Sequence, residues 1–139
     1  THGGFYIARY ETGNIDQEYP SVKAGAQNRN NLNWYEAYMK NQKIPTGNYG
    51  ISGTIYGCQW DMALRWLQSC DKNNQTVNHM EDFANGTAEW TMEAFANDAR
   101  IVRDVTREET TVVQAGTRMD YSPTETKAEI GTRAMMYIR

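Results

Sequence analysis

Cysteine and histidine are scarce in this chain, with two of each among 139 residues. A histidine-based zinc or iron site needs two or three ligands at fixed spacing. His2 and His79 alone do not supply one, and CxxC spacing is missing too. No metal and no cofactor is therefore expected. Cys58 and Cys70 flank a segment that reads as a helix. Twelve helical residues span roughly 18 Å, whereas a disulfide needs Cα atoms within about 7 Å. Two buried free thiols are expected instead. The motifs GxSxG, GxGxxG and the P-loop are absent. No run of about 18 apolar residues exists, so no membrane-spanning helix is expected. No charged-then-apolar leader opens the sequence, so no signal peptide is expected.

An excess of positive charge is also lacking. Fourteen basic residues stand against 17 acidic ones, for a net charge of −3. The basic residues form no stripe, so the surface is mildly repulsive to nucleic acid and offers no polybasic membrane patch. Acidic neighbours such as Glu108–Glu109 are what 22% charged residues produce by chance. None lies in an apolar setting that would raise a carboxyl pKa, so no catalytic pair is assigned.

What is abundant is polar and aromatic. Nine Tyr and four Trp outnumber three Phe, alongside twelve Asn and fourteen Thr. Tyr and Trp combine apolar area with a polar tip and are enriched where proteins touch ligands. Length and composition, with 40% hydrophobic residues, suit one globular domain with its own core.

Along the chain, residues 3–13 read as a strand between glycine turns, and residues 14–32 as a loop. Asn33 with Glu36 three residues on has the form of a capping box opening a helix from Trp34 to about Gln42. Residues 44–58 hold four glycines and a proline and are expected to break regular structure. From Gln59 to about Ser69, Trp60, Ala63, Leu64 and Leu67 give a helical stripe, which Met62 and Trp66 are expected to widen. Residues 71–87 read as polar loop; they contain two formal glycosylation sequons, at Asn74 and Asn85, which nothing places in a secretory pathway. Ala88, Trp90, Met92 and Ala94 alternate as in a strand, followed by strand candidates at 100–105 and 111–116. Residues 117–130 read as a long loop, and the closing GTRAMMYIR as a strand. The predicted class is α+β, with two helices on a mainly antiparallel sheet and long loops.

Four ordered blocks resemble the formylglycine-generating-enzyme-like (sulfatase-modifying factor) family. They are Phe5-Tyr6-Ile7-Ala8-Arg9-Tyr10-Glu11, Asn33-Trp34-Tyr35-Glu36-Ala37, Gly86-Thr87-Ala88-Glu89-Trp90-Thr91, and Ile130-Gly131-Thr132-Arg133 with Tyr137-Ile138. The opening GGFYIARYETG and the segment SGTIYGCQWD resemble a phage and prophage branch most. This resemblance implies a C-type-lectin-like fold with the first and last strands adjacent. It implies one domain over residues 1–139, expected as the C-terminal part of a longer protein. Some members of that branch are variable proteins of diversity-generating retroelements, in which a C-terminal lectin face is randomised and binds ligand. The chain departs from the enzyme branch, because residues 100–139 contain no cysteine. Thr and Arg do not replace a thiolate nucleophile or copper ligand. Ile101-Val102-Arg103-Asp104-Val105 departs from the family's V-x-R-G-G, and Thr132 and Ala134 from its Phe or Tyr and Pro.

The expectation that follows is a non-enzymatic display domain on a phage virion or bacterial cell surface. Its recognition face would lie in the polar stretch from Thr106 to Glu129, on Arg107, Glu108, Thr110, Arg118, Asp120, Tyr121, Ser122, Thr124 and Glu125. Tyr121 is the expected anchor, with the polar residues as adaptable contacts. The expected partner is a protein or glycan ligand on a cell surface, without nucleic acid or membrane insertion; homo-oligomerisation stays open. The calcium-binding sugar triplets Glu-Pro-Asn and Gln-Pro-Asp are missing. The alternative is a structural virion or assembly module in which the same face packs on a neighbouring subunit.

Overall fold

The computed structural model describes residues 4–27, 31–69, 76–77, 80–81, 87–103 and 116–138. In chain order the elements are β1 (Tyr6–Ile7), α1 (Trp34–Asn41), β2 (Gly50–Thr54), α2 (Gly57–Ser69), β3 (Thr76–Val77) and β4 (Met80–Glu81). They continue with β5 (Ala88–Ala96), β6 (Ala99–Arg103), β7 (Arg118–Tyr121), β8 (Ile130–Thr132) and β9 (Ala134–Ile138). One sheet has the order β1-β9-β2, a second β7-β6-β5-β8, and β3 with β4 forms a small hairpin. Every pairing is antiparallel except β5 with β8. The class is α+β, as the element order predicts, and the first and last strands pair directly, Tyr6 opposite Met136. No helix among the described residues is long and apolar enough to cross a membrane.

Helix α1 starts where its local chemistry dictates. The Asn33 side chain accepts the Glu36 N–H at 2.9 Å, and the Glu36 carboxylate accepts the Asn33 N–H at 3.0 Å. Two of the orphan donors of the first turn are thereby satisfied. Trp34, Ala37 and Asn41 form the buried edge. An Asn33→Ala variant is expected to lose about 1 kcal/mol, read as a lower urea midpoint at unchanged m-value.

Helix α2 buries Trp60, Ala63, Leu64 and Leu67, together with Ile55 and half-buried Ile7. Met62 and Trp66 do not widen this face: they are 58% and 44% exposed. At about 100° per residue they fall some 120–160° away from Trp60 round the helix. Cys58 also departs from expectation. It is an exposed thiol in the first turn of α2. Cys70, His2 and His79 lie outside the described residues.

Four strands occupy stretches expected to be irregular. Strand β2 pairs with β9 along its whole length, from Gly50 opposite Ile138 to Thr54 opposite Ala134. Its glycine at position 50 serves close packing rather than disorder: a Cβ there would meet the Tyr137 carbonyl at 2.7 Å. The β3–β4 ladder, two residues on each side, sits within 71–87 and is too short to leave an alternation in the sequence. Strand β7 lies in the expected 117–130 loop. It is polar because it is an edge strand with Arg118, Met119 and Asp120 exposed. The 111–116 candidate lies outside the described residues except for Gly116, which belongs to no strand.

Strand β5 corrects a different expectation. Ala88 to Thr91 are all buried, so polar neighbours do not mark a solvent side there. Side chains alternate between the two faces. Trp90 and Val102 enter a core with Ile15, Leu32, Trp34, Ala37, Ala88 and Ile130. Glu89 and its cross-strand partner Arg103 take the other face, toward α2. The closing segment is two strands rather than one. Arg133 separates β8 from β9, and there the chain passes from the four-stranded to the three-stranded sheet.

At this passage two buried polar groups lock the sheets. The Arg133 guanidinium is fully buried and grips the Glu89 carboxylate at 2.9–3.1 Å. It also donates to the Ala8 and Arg9 carbonyls at 3.0 and 3.1 Å. Nearby, buried Asn41 donates to Thr54 at 3.0 Å and Thr132 at 2.8 Å, and accepts from Thr12 at 2.8 Å. Loop, helix and both sheets thus meet in satisfied polar contacts. Among the described residues no buried side-chain polar atom lacks a partner.

Candidate functional site

Strand β7 and the turn after it carry six of the nine residues singled out in the sequence. Arg107, Glu108 and Thr110 lie outside the described residues. The ladder to β6 sets the strand: Arg118 opposes Arg103, Met119 opposes Val102, Asp120 opposes Ile101 and Tyr121 opposes Arg100. The chain then turns. The Glu125 N–H donates to the Ser122 carbonyl at 3.0 Å, with Pro123 at the second turn position it favours. Pro123 is buried, and its carbonyl accepts the Trp34 N–H at 3.1 Å. The turn is therefore seated on the start of α1.

The six residues differ in what they are free to do. Arg118 is half-exposed yet committed to a ring of four charges. Its Nε reaches Glu93 at 2.9 Å and its Nη2 reaches Asp61 at 2.8 Å. Fully buried Arg103 binds the other oxygens of both carboxylates, Glu93 at 3.1 Å and Asp61 at 2.6 Å. Charges alternate round this ring, and Arg103 also donates to the Gly57 and Gly116 carbonyls. Gly57 must lack a side chain here, because a Cβ would collide with the Glu93 carboxylate.

Tyr121 is half-buried. Its ring meets Trp90 edge-on at 6.2 Å, its hydroxyl donates to the Met119 sulfur at 2.7 Å, and Lys127 Nζ lies 5.1 Å from its centroid. Glu125 pairs with Lys127 at 2.6 Å and holds that ammonium above the ordinary lysine range by hydrogen bond and charge. The Ser122 and Thr124 hydroxyls bond each other at 3.0 Å. Asp120, Ser122 and Thr124 are exposed.

Between Tyr121, Lys127, Glu129 and a floor of Ala88, Val102 and Ile130 lies a shallow pocket of about 160 Å³. Mixed polar and apolar walls of this kind suit a hydrogen-bonding surface group rather than a wholly apolar ligand. Sequence reasoning passed over Lys127, Trp90 and Arg100. Lys127 lay inside the polar stretch, two residues after Glu125, and that spacing in a turn was the available signal. Arg100 stacks on Trp34 at 4.7 Å, and Trp34 on Tyr38 at 5.2 Å, which stiffens the ground beneath the turn.

Among the described residues no group of three or more His, Cys, Asp or Glu is arranged to hold a metal ion. Residues 100–139 contain no cysteine. Cys58 stands exposed in the first turn of α2.

No protein-family model, no curated protein and no solved structure matches this chain.

Proposed function

We propose that this chain is a non-enzymatic ligand-binding display domain with a C-type-lectin-like fold, in the phage branch of the formylglycine-generating-enzyme-like family. It works on a phage particle or bacterial surface and binds a protein or glycan of a host or of the surroundings. Its recognition face is β7 with the 122–129 turn, and retroelement diversification acts on that face.

One observation carries this reading. Exposed Asp120, Ser122 and Thr124 and half-buried Tyr121 stand on a backbone fixed by the β6 ladder, by the Pro123–Trp34 bond and by Trp90. Recognition from loops and edges is efficient when a rigid scaffold holds them, because little order is lost on binding. Tyr121 supplies apolar area at low entropy cost, and the small hydroxyl and carboxylate groups supply adaptable hydrogen bonds. The pairing of β1 with β9, and two helices beside mainly antiparallel sheets, support the fold part of this reading.

The test uses fluorescently labelled protein on a panel of intact bacterial strains and on immobilised cell-surface glycans. A double Asp120→Ala, Thr124→Ala variant should bind about tenfold more weakly. Its melting temperature should stay put, because both side chains are exposed. Binding unchanged in the variant, or none by the native chain to any surface, would refute the proposal. A neighbouring reverse-transcriptase gene with an adenine-rich imperfect repeat of the face's coding sequence is the genomic counterpart.

A further inference from the structure

The pocket beside β7 is too small for a whole ligand. Its volume is about 160 Å³, against roughly 300–1,000 Å³ for sites that enclose a drug-sized molecule. It holds one substituent, while the rest of the ligand lies outside it on the exposed turn. The walls select that substituent. The floor of Ala88, Val102 and Ile130 is aliphatic and suits a small apolar end such as a methyl.

Lys127 supplies the polar wall. Its ammonium stands 5.1 Å from the Tyr121 centroid and meets Glu125 at 2.6 Å. An ammonium has three donors, so Glu125 leaves it able to meet an acceptor brought by the ligand. The Tyr121 hydroxyl already donates to the Met119 sulfur, which makes Lys127 the donor for that task. The neighbours set the charge of the acceptor. Glu125 neutralises Lys127, and Glu129 stands on the same wall. A ligand carboxylate would meet these two like charges, whereas a neutral carbonyl accepts from the ammonium without that repulsion.

We propose that this pocket takes a short neutral acyl group, the acetamido group of an N-acetylated sugar. Its carbonyl oxygen accepts from Lys127 Nζ, and its methyl lies on Ala88, Val102 and Ile130. The inference rests on the β7 reading above and names the ligand class of that same face. The surroundings favour a sugar over an acylated protein side chain. Ser122 and Thr124, exposed on the same turn, offer hydroxyls that match those of a pyranose ring. An acetyl-lysine brings a long apolar stem instead, and a shallow pocket has no channel for one.

Amide NMR spectra of the native chain, titrated with sugar to roughly 50 mM, test this. Binding by a single substituent is expected in the millimolar range. N-acetylglucosamine should shift the Tyr121, Lys127 and Ile130 signals. Glucose has the same ring without the acyl group and should leave them in place. Lys127→Met keeps the stem and removes the donors. It should weaken binding about tenfold or more, at an unchanged melting temperature, because its ion pair is a surface one. Equal shifts with glucose, tighter binding of an N-acetyl-lysine peptide, a Lys127→Met variant that binds like the native chain, or no shift with N-acetylglucosamine would each overturn the proposal. Failure here differs from failure of the β7 reading. Cell or glycan binding that is lost in the Asp120→Ala, Thr124→Ala variant yet unaffected by excess N-acetylglucosamine keeps that reading and removes this one.

Discussion

Replacing Arg133 with methionine is expected to destabilise the fold by about 3–5 kcal/mol. Both partners of the Arg133–Glu89 pair are out of water, at 0% and 1% exposure. The variant leaves a carboxylate in the interior with its counter-charge gone, and it strips donors from the Ala8 and Arg9 carbonyls. Burying charge or carbonyl without a partner is what makes such changes severe. A domain of this size is typically stable by about 5–15 kcal/mol, so the loss is a large share. Urea unfolding followed by tryptophan fluorescence measures it. The double variant Arg133→Met, Glu89→Leu should recover much of the loss, since removing both charges also removes their desolvation cost. A single variant as stable as the native chain would show that the pair is not the lock between the sheets.

Trp90→Ala is expected to cost a similar amount, about 3–5 kcal/mol. The indole is fully buried at the centre of the second core, and its N–H donates to the Leu32 carbonyl at 2.8 Å. It also underlies the Tyr121 ring. Trp90→Phe separates these roles. It keeps an aromatic ring for Tyr121 but leaves the Leu32 carbonyl without its donor, for a smaller loss of about 1–3 kcal/mol. Thermal unfolding should rank native, Trp90→Phe and Trp90→Ala in falling order. Equal stability of the two variants would assign the cost to what both lose, the indole N–H bond to Leu32, and not to packing of an aromatic ring.

The helices were legible because their signals are local. A capping box needs only residues 33 and 36, and the α2 stripe only four positions within one segment. What sequence left hidden is non-local. Glu89 and Arg133 lie 44 positions apart, and nothing near either announces that they meet. Gly50 reads as a breaker until the β9 backbone is known to press against it. Strand β7 reads as loop because an edge strand shows little apolar alternation. Arg118 showed the same limit within the candidate site. A basic residue in a polar stretch suggests a free contact, whereas Asp61 on α2 and Glu93 on β5 hold both its sides. Asp120, Ser122 and Thr124 were read as surface groups, and their side chains are exposed.

Strand β9 lies in the middle of its sheet, between β1 and β2, although it is the last element of the chain. Arg133 reaches back 125 positions to Ala8. Loop closure over such spans must be met before the contacts repay it, which raises contact order and slows folding. During synthesis β1 and β2 have no partner in this sheet until β9 has been made. A ribosome-stalled chain ending before Ala134 therefore holds this sheet open.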